Sequence, residues 1–507
     1  MATPSLAMIP SAYADSKVYS VLPNNGDGDF TFNRDSSATR IGQNGLIQTV
    51  GFFGSEETTN GSFTGSATGW TLSGSVAYNN NALDSNAGGS ATQSGILTSG
   101  KNYKINIVIS AYTSGIMRVK LGTTASTTFT ETTTVYVTSN GTDFILDFLG
   151  SFVGTIDSVS VVEVTGDQPR LNYDISNGVV QSCPSLLLEP ASTNLINFSE
   201  PTSSETSASG ITYESYIWAI GRFTNCIKFG DNSVTRYRYF TGTIANSTQY
   251  VMSAFVIMDD LSEPVLGTNT VSGDLIFRVG GESASTGNLP NVNMGNSIYR
   301  VSSVITSGAS GGTTGLLKYT GQSNKGFRVV GFQVEELSYA TSYIPTNGSS
   351  QTRAAETCND AGNATTFNSI EGVLYVETKA SVHNGNITLS SGSNNDNLII
   401  SFNLNSGRID CNMKVGGAYQ FIFNYTTDMS LNHKIAISYA ENDFSLFVDG
   451  TKVLTDTSGI TPTSGTLNEL NFSSANQASN LFYGNVKDIR VYNEALTDAQ
   501  LQTLTTL

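Results

Sequence analysis

Three consecutive leucines, Leu186-Leu187-Leu188, stand between Pro184 and Pro190, and nothing else near the middle of the chain is so apolar. A segment closed by proline at both ends is too short for a helix and suits a buried strand of four or five residues. On either side lie long tracts dominated by Ser, Thr, Gly and Asn. The stretch from Cys183 to Leu195 is therefore expected to be a hub from which larger modules hang. Charged residues make up 13%, about half the usual share, and there are 50 glycines. Hydrophobic residues at 38% and aromatics at 10% still supply packed cores, so the chain reads as many short strands joined by polar turns. At roughly 100–200 residues per domain, 507 residues make three or four domains.

Several function classes drop out on composition. A net charge of −16 argues against a sequence-independent grip on nucleic acid, and its simplest role is solubility. Cys183, Cys226, Cys358 and Cys411 lie far apart with no C-x-x-C pair, so no zinc or redox motif is present. An even count permits two disulfides, but the spacing gives no evidence for them, and free buried thiols are expected. No apolar run approaches about 18–20 residues, so no membrane insertion is expected. The first residues lack a basic stretch followed by an apolar core, so no signal peptide is expected.

Taken in order, 8–23 ends in a short alternating strand, and Asn24-Asn25-Gly26-Asp27-Gly28-Asp29 follows as a turn. Such a loop offers calcium its preferred oxygen ligands but lacks the spacing and terminal Glu of an EF-hand, so a plain turn is favoured. A strand is expected at 30–34, then a hairpin of 36–41 and 45–50 with Asn44-Gly45 at its turn. Strands at 103–109, 117–121, 144–148 and 156–164 indicate a β-sandwich of about 100 residues. A second sandwich is expected over 196–337, with Trp218 near its start where Trp70 stands in the first. Residues 345–363 read as a linker. In the last module 372–377, 433–439 and 444–448 are strands, and Asp449-Gly450 marks a hairpin. The apolar phase of 484–493 slips between Val486 and Ile489, as a bulge produces. Thr497-Asp498-Ala499-Gln500 matches a capping box opening a short helix.

Some of these segments carry a resemblance. The order Ser36-Ser37-Ala38-Thr39-Arg40, Gly45-Leu46-Ile47, Pro169-Arg170-Leu171-Asn172-Tyr173, Cys183 to Leu195, Gln333-Val334-Glu335, Thr341-Ser342-Tyr343-Ile344-Pro345-Thr346 and Thr352-Arg353 resembles a recurring frame of tailed-bacteriophage virion proteins. The resemblance implies a tail-fibre, spike or head-fibre protein and does not imply a catalytic site. It also implies a homotrimer, made in the host cytoplasm and displayed on the virion surface beside other virion proteins. Gly61-Ser62-Phe63 with Gly69-Trp70, and Ile156-Asp157-Ser158-Val159-Ser160-Val161, resemble the ends of a carbohydrate-binding-module jelly roll. The stretches 433–439, 444–453 and 484–497 resemble a concanavalin-A-like, laminin-G-like lectin domain.

The expected fold class is thus all-β and multidomain, with antiparallel jelly-roll sandwiches and a C-terminal concanavalin-A-like sandwich. The division is an N-terminal frame segment 1–50, an inserted jelly roll 51–167, the hub 168–195, a second jelly roll 196–337, a closure and linker 338–365, and a lectin-like domain 366–507.

Chemistry is sparse. Only His383 and His433 exist, the first in an expected turn and the second on a core strand, and no G-x-S-x-G, phosphate-loop or H-E-x-x-H motif occurs. A glycosidase needs two carboxylates across a sugar; the E-x-D-x-x-E strand is absent, and Glu371 and Glu377 read as a charged outer strand face. Asn394, Asn395, Asp396, Asn397 and Asp449 are oxygen-rich turn residues, commoner as turns than as calcium sites. Trp70 and Trp218 suit sugar stacking but are weighted as core. No catalytic, cofactor-binding or metal-ligating residue is assigned, no cofactor is expected, and the sugar-contacting residues stay unassigned. The expected function is adhesion to host-surface glycans, with a purely structural virion role and a polysaccharide depolymerase as alternatives.

Overall fold

The computed structural model describes residues 2–126, 128–165, 167–200, 208–231, 233–240, 242–268, 271–284, 288–321, 323–346, 350–381 and 383–507. The protein is nearly all β. Among the described residues the single α-helix is Asp498–Thr505, opened by the capping box of Thr497 and Gln500. Among the described residues no helix is long and apolar enough to cross a membrane.

The first sandwich is built on two very long strands. Asn102–Leu121 and Phe144–Thr165 pair along their whole length, with register shifts between Val108 and Ile116. By apolar alternation each reads as two strands, because exposed polar residues around Ser110 and Thr113 interrupt the pattern. Hydrogen bonding continues through that interruption, and the bulges bend the pair into both layers of the sandwich. Gly115 sits at the bend with φ +80°, where a Cβ would strike the Phe152 backbone. Trp70 lies in this core beside Phe63 and Phe144.

The second sandwich faces a six-stranded sheet against a five-stranded one. Its central strand, Gln249–Met258, is buried at every residue after the first. One face fills the sandwich core, and Phe255 and Ile257 on the other pack against Trp218, Ile47 and Tyr343. Two buried faces explain why the segment reads as a continuous apolar run. Trp218 therefore belongs to the junction with the 38–50 hairpin and is not the counterpart of Trp70.

The C-terminal sandwich borrows strands from the frame. Its larger sheet runs Leu171–Ser176, Val179–Leu188, Gly484–Tyr492, Gly372–Ala380, His433–Ala440, Asp443–Val448, Thr451–Asp456, with Leu6–Met8 also on Gly484–Tyr492. The bulge on Gly484–Tyr492 falls at Lys487, since Glu377 pairs with Asp488 but Thr378 with Val486. The smaller sheet runs Ala418–Thr426, Arg408–Val415, Asn397–Asn403, Gly385–Ser390, Glu469–Asn471.

Several expectations are corrected. The leucine strand is ten residues, Val179–Leu188, and passes through Pro184. Only Leu186–Leu188 pair with the Gly484 strand, so Pro184 lies where its strand is still an edge, the position that tolerates a missing N–H. Within 8–23 the strands are Tyr13–Ala14 and Lys17–Val18, while the buried N-terminal strand is Leu6–Met8. The expected linker at 345–363 is woven into the core, apart from 347–349, which lie outside the described residues. Gln351–Arg353 pairs with Ser192–Asn194, Thr357–Asn359 pairs with Phe30–Asn33, and Arg353, Glu356 and Cys358 are buried. Its polar residues find partners inside the protein instead of water. All four cysteines are free, but Cys183 is exposed because its strand end is an open edge. Glu371 lies just before Gly372–Ala380, not on it.

Candidate functional site

A buried charge network fixes how the sandwiches meet. Arg34, Arg170 and Glu356 have no exposed side-chain surface. Glu356 accepts from Arg34 Nη1 at 2.9 Å and from Arg170 Nε at 2.8 Å, and its second oxygen pairs with Arg170 Nη2. Arg170 Nη1 also donates to Glu189 Oε2 at 2.7 Å, and Arg353 Nη1 lies 3.1 Å from the same oxygen. Glu189 further accepts from the Ser342 amide at 2.8 Å and its hydroxyl at 2.6 Å. Burial alone would raise the Glu189 pKa; Arg353, Arg170 and the Ser342 hydrogen bonds reverse this and hold it at about 2. Burial lowers the Arg34 pKa to about 10 despite Glu356. These residues come from the frame segments, and their role is to lock orientation.

The face able to meet a ligand is the outer side of the five-stranded C-terminal sheet. Strand alternation sends Ile387, Leu389, Leu398, Ile400, Ile409, Cys411, Phe421 and Phe423 inward. The opposite face then carries rows set by the register. One row is Thr388, Ile399, Asn412, Ile422; the next is Asn386, Ser401, Asp410, Asn424; a third is Ser390, Asn397, Lys414, Tyr419. Residues 473–480 roof one half: Thr388 donates to the Ser473 carbonyl at 2.7 Å, and the Asn386 amide donates to the Asn480 carbonyl at 2.9 Å. The other half is open, with Ile422 and Tyr419 exposed and Lys414 Nζ 4.6 Å from the Tyr419 ring centre. The side-chain oxygens of Asn386, Asn397 and Asn412 are buried without a hydrogen-bond partner. What the open half presents at its surface is the Tyr419 ring, the Ile422 side chain and the Lys414 ammonium.

Hydrolysis needs more than this face carries. Its carboxylates are Asp410 and Glu469, the latter opposite Ser390. They stand three strand steps and four residues of register apart, about 19 Å at the usual strand spacings, beyond the ~5–9.5 Å of glycosidase pairs. Asp410 is also held by Arg408.

The other residues weighed from sequence are accounted for by local structure. Trp70 and Trp218 are buried, and Trp70 Nε1 donates to the Asn60 carbonyl at 3.2 Å. His433 is buried between Asp449 Oδ2, 2.6 Å from Nδ1, and the Asp428 carbonyl, 2.9 Å from Nε2. Asp449 also accepts from the Lys434 amide at 2.9 Å, so it shapes its hairpin. His383 is exposed in a turn. Asp396 Oδ1 accepts from the Gly416 amide at 2.8 Å, tying two turns together. In the 24–29 loop Asn25 Nδ2 donates to Asp27 at 2.7 Å, and Asp29 accepts from the Ser20 amide at 2.9 Å. Among the described residues no three His, Cys, Asp or Glu side chains gather as a metal cluster. The amide rows were missed by sequence reasoning; the alternation of 408–414 and 418–424 is the signal that finds them.

Residues 359–502 match the Laminin_G_3 family, described as the concanavalin A-like lectin/glucanases superfamily. No curated protein matches the chain. Solved structures similar to it include the CBM40 of the Ruminococcus gnavus IT-sialidase, 17% identical over 27% of this chain and 84% of that one, with a TM-score of 0.25. Domain 4 of the arabinanase AbnA from Geobacillus stearothermophilus is 14% identical over 33% of this chain and 82% of its own, TM-score 0.25. The CBM22-1–CBM22-2 tandem of Paenibacillus barcinonensis Xyn10C is 15% identical over 56% and 97%, TM-score 0.23.

Proposed function

We propose that the protein is a glycan-binding appendage of a tailed-bacteriophage virion, a fibre, spike or head fibre, whose C-terminal sandwich adheres to host-surface sugar. The observation that carries the binding reading is the exposed Tyr419 ring with the Lys414 ammonium beside it, on a sheet whose sequence matches a lectin-type family. The virion assignment is supported by the frame motifs around Thr39, Arg170, Glu189 and Tyr343. A homotrimer would multiply weak sites into avidity.

The test is adsorption of the full-length protein to candidate host cells, with and without periodate treatment of their sugars. The full chain is required, because 366–507 alone lacks three strands of its own larger sheet. Adsorption abolished by periodate and weakened at least tenfold by Tyr419→Ala is the expected result. Adsorption indifferent to periodate would instead favour a structural role through protein contacts.

One observation favours a second, enzymatic reading. Glu377 and Asp488 stand directly opposite on paired strands, and burial raises the Asp488 pKa. Two carboxyls a few ångströms apart, one of them raised in pKa, are the kind of pair that glycoside hydrolysis uses. However, Asp488 is clasped by Arg490, and Glu377 accepts from Asn432 at 3.1 Å. Release of reducing sugar from host polysaccharide, lost in Glu377→Gln, would establish hydrolysis.

A further inference from the structure

Between the second sandwich, the frame and the back of the C-terminal sheet lies a cleft of about 490 Å³, within the range of small-molecule sites. Its charge is opposite to that of the whole protein. Arg40, Arg300, Lys379 and Lys487 line it against Asp174 and Glu189, in a chain with 41 acidic and 25 basic residues. Glu189 is committed to Arg170 and Arg353, and Asp174 lies 3.7 Å from Lys487. Arg300 and Lys379 form no ion pair with any described carboxylate. Arg300 reaches Ser253 Oγ through Nη2 at 3.2 Å and lies 5.6 Å from the Phe255 ring centre, but its Nε is buried without an acceptor. Asn432, also on the wall, has its Oδ1 buried without a donor.

A dry orphan donor or acceptor costs roughly 1–3 kcal/mol, so the cleft excludes an apolar occupant. Glu335 and Glu189 offset the Arg300 charge only in part, since neither forms an ion pair with it, and Lys379 has no ion-pair partner among the described carboxylates. Ser381 and the amide nitrogen of Asn172 add hydroxyl-binding groups, while Met294 and Ile175 add apolar surface. An anion that also carries hydroxyls and a partly apolar ring meets all of these demands.

We infer that this cleft binds a carboxylate-bearing saccharide, a uronate-type sugar, with the carboxylate at Arg300 and Lys379. The inference rests on the glycan-binding reading but assigns a second subsite, on the opposite sheet of the C-terminal sandwich from the amide rows, and gives it a charge preference.

The test is titration calorimetry of the full-length protein with a uronic-acid oligosaccharide, its neutral counterpart, and sodium acetate. The expected result is uronate binding that weakens with salt, falls at least tenfold in Lys379→Glu, and persists in Tyr419→Ala. Lys379 is exposed, so its variant folds; Arg300→Gln provides the buried arm, with thermal unfolding as its control. Acetate binding as tightly as the uronate would overturn the saccharide. Uronate binding unmoved by both cleft variants would overturn the cleft, leaving the amide rows as the glycan site. No binding of either sugar by the folded protein would overturn both readings, and neutral binding alone would overturn only this one.

Discussion

Glu189 belongs to two neighbouring clusters of basic residues that handle charge in opposite ways. On one side, Arg34, Arg170 and Arg353 are buried against Glu189 and Glu356, with bonds that span the chain. On the other, Arg300 and Lys379 line a cleft and form no ion pair with a described carboxylate, although buried nitrogens without a partner occur on both sides, at Arg34 Nη2 and Arg353 Nε as well as Arg300 Nε. In the first cluster the charge is consumed in holding modules together. In the second it remains available. A buried ion pair is weak evidence for stability, because desolvation offsets much of the attraction, yet removing one partner strands the other at high cost. The two clusters should therefore respond very differently to the same kind of substitution.

The largest effect is expected in the hub. Glu356→Ala leaves Arg34 and Arg170 facing each other without their shared carboxylate and should destabilise the protein by about 3–5 kcal/mol, read from urea unfolding. A loss under about 1 kcal/mol would mean that the network behaves like a surface pair.

Acid should weaken the same cluster. The Glu189 pKa is depressed to about 2 in the folded protein, against an ordinary value near 4.3. Its contribution is fully present above the unfolded value and lost as pH falls through the folded one. Stability should therefore drop between about pH 4.5 and pH 2, by on the order of 3 kcal/mol from this group. Glu356, depressed by Arg170 and Arg34 against the effect of burial, adds in the same direction. Urea midpoints across that window in the wild type and in Glu189→Gln check this, and an equally steep decline in the variant would assign it elsewhere.

The cleft gives the contrast. Arg300→Met removes a buried charge whose pKa is lowered by burial, so stability should stay within about 1 kcal/mol and any shift should be upward. A loss as large as that of Glu356→Ala would erase the distinction between the two clusters. Lys379→Glu and Tyr419→Ala, both exposed, should move stability by no more than about 0.5 kcal/mol, so that their effects on sugar binding read out recognition alone.

Much of the local structure was legible in the sequence. The Asp449-Gly450 hairpin, the bulge at Lys487 and the capping box at Thr497 were all marked by short-range chemistry. Trp70 and Trp218 were read as core, and they are. The long strands were legible only in pieces, because the polar residues at their bend break the apolar alternation without breaking the ladder. Residues 350–363 were misread for a related reason. A segment rich in Asn, Thr and Ala looks like a linker until its arginine and glutamate find buried partners.

What the sequence determined by itself was whatever a few neighbouring residues decide: strand against helix, turn against strand, which side chains share a face. Tertiary structure alone decided which strands complete the C-terminal sheet, where the hub closes and which cations stay free. Arg34 meets Glu356 across 322 positions and Arg170 meets it across 186. No periodicity records such a meeting, because the free energy of a buried charge depends on what the rest of the chain places around it.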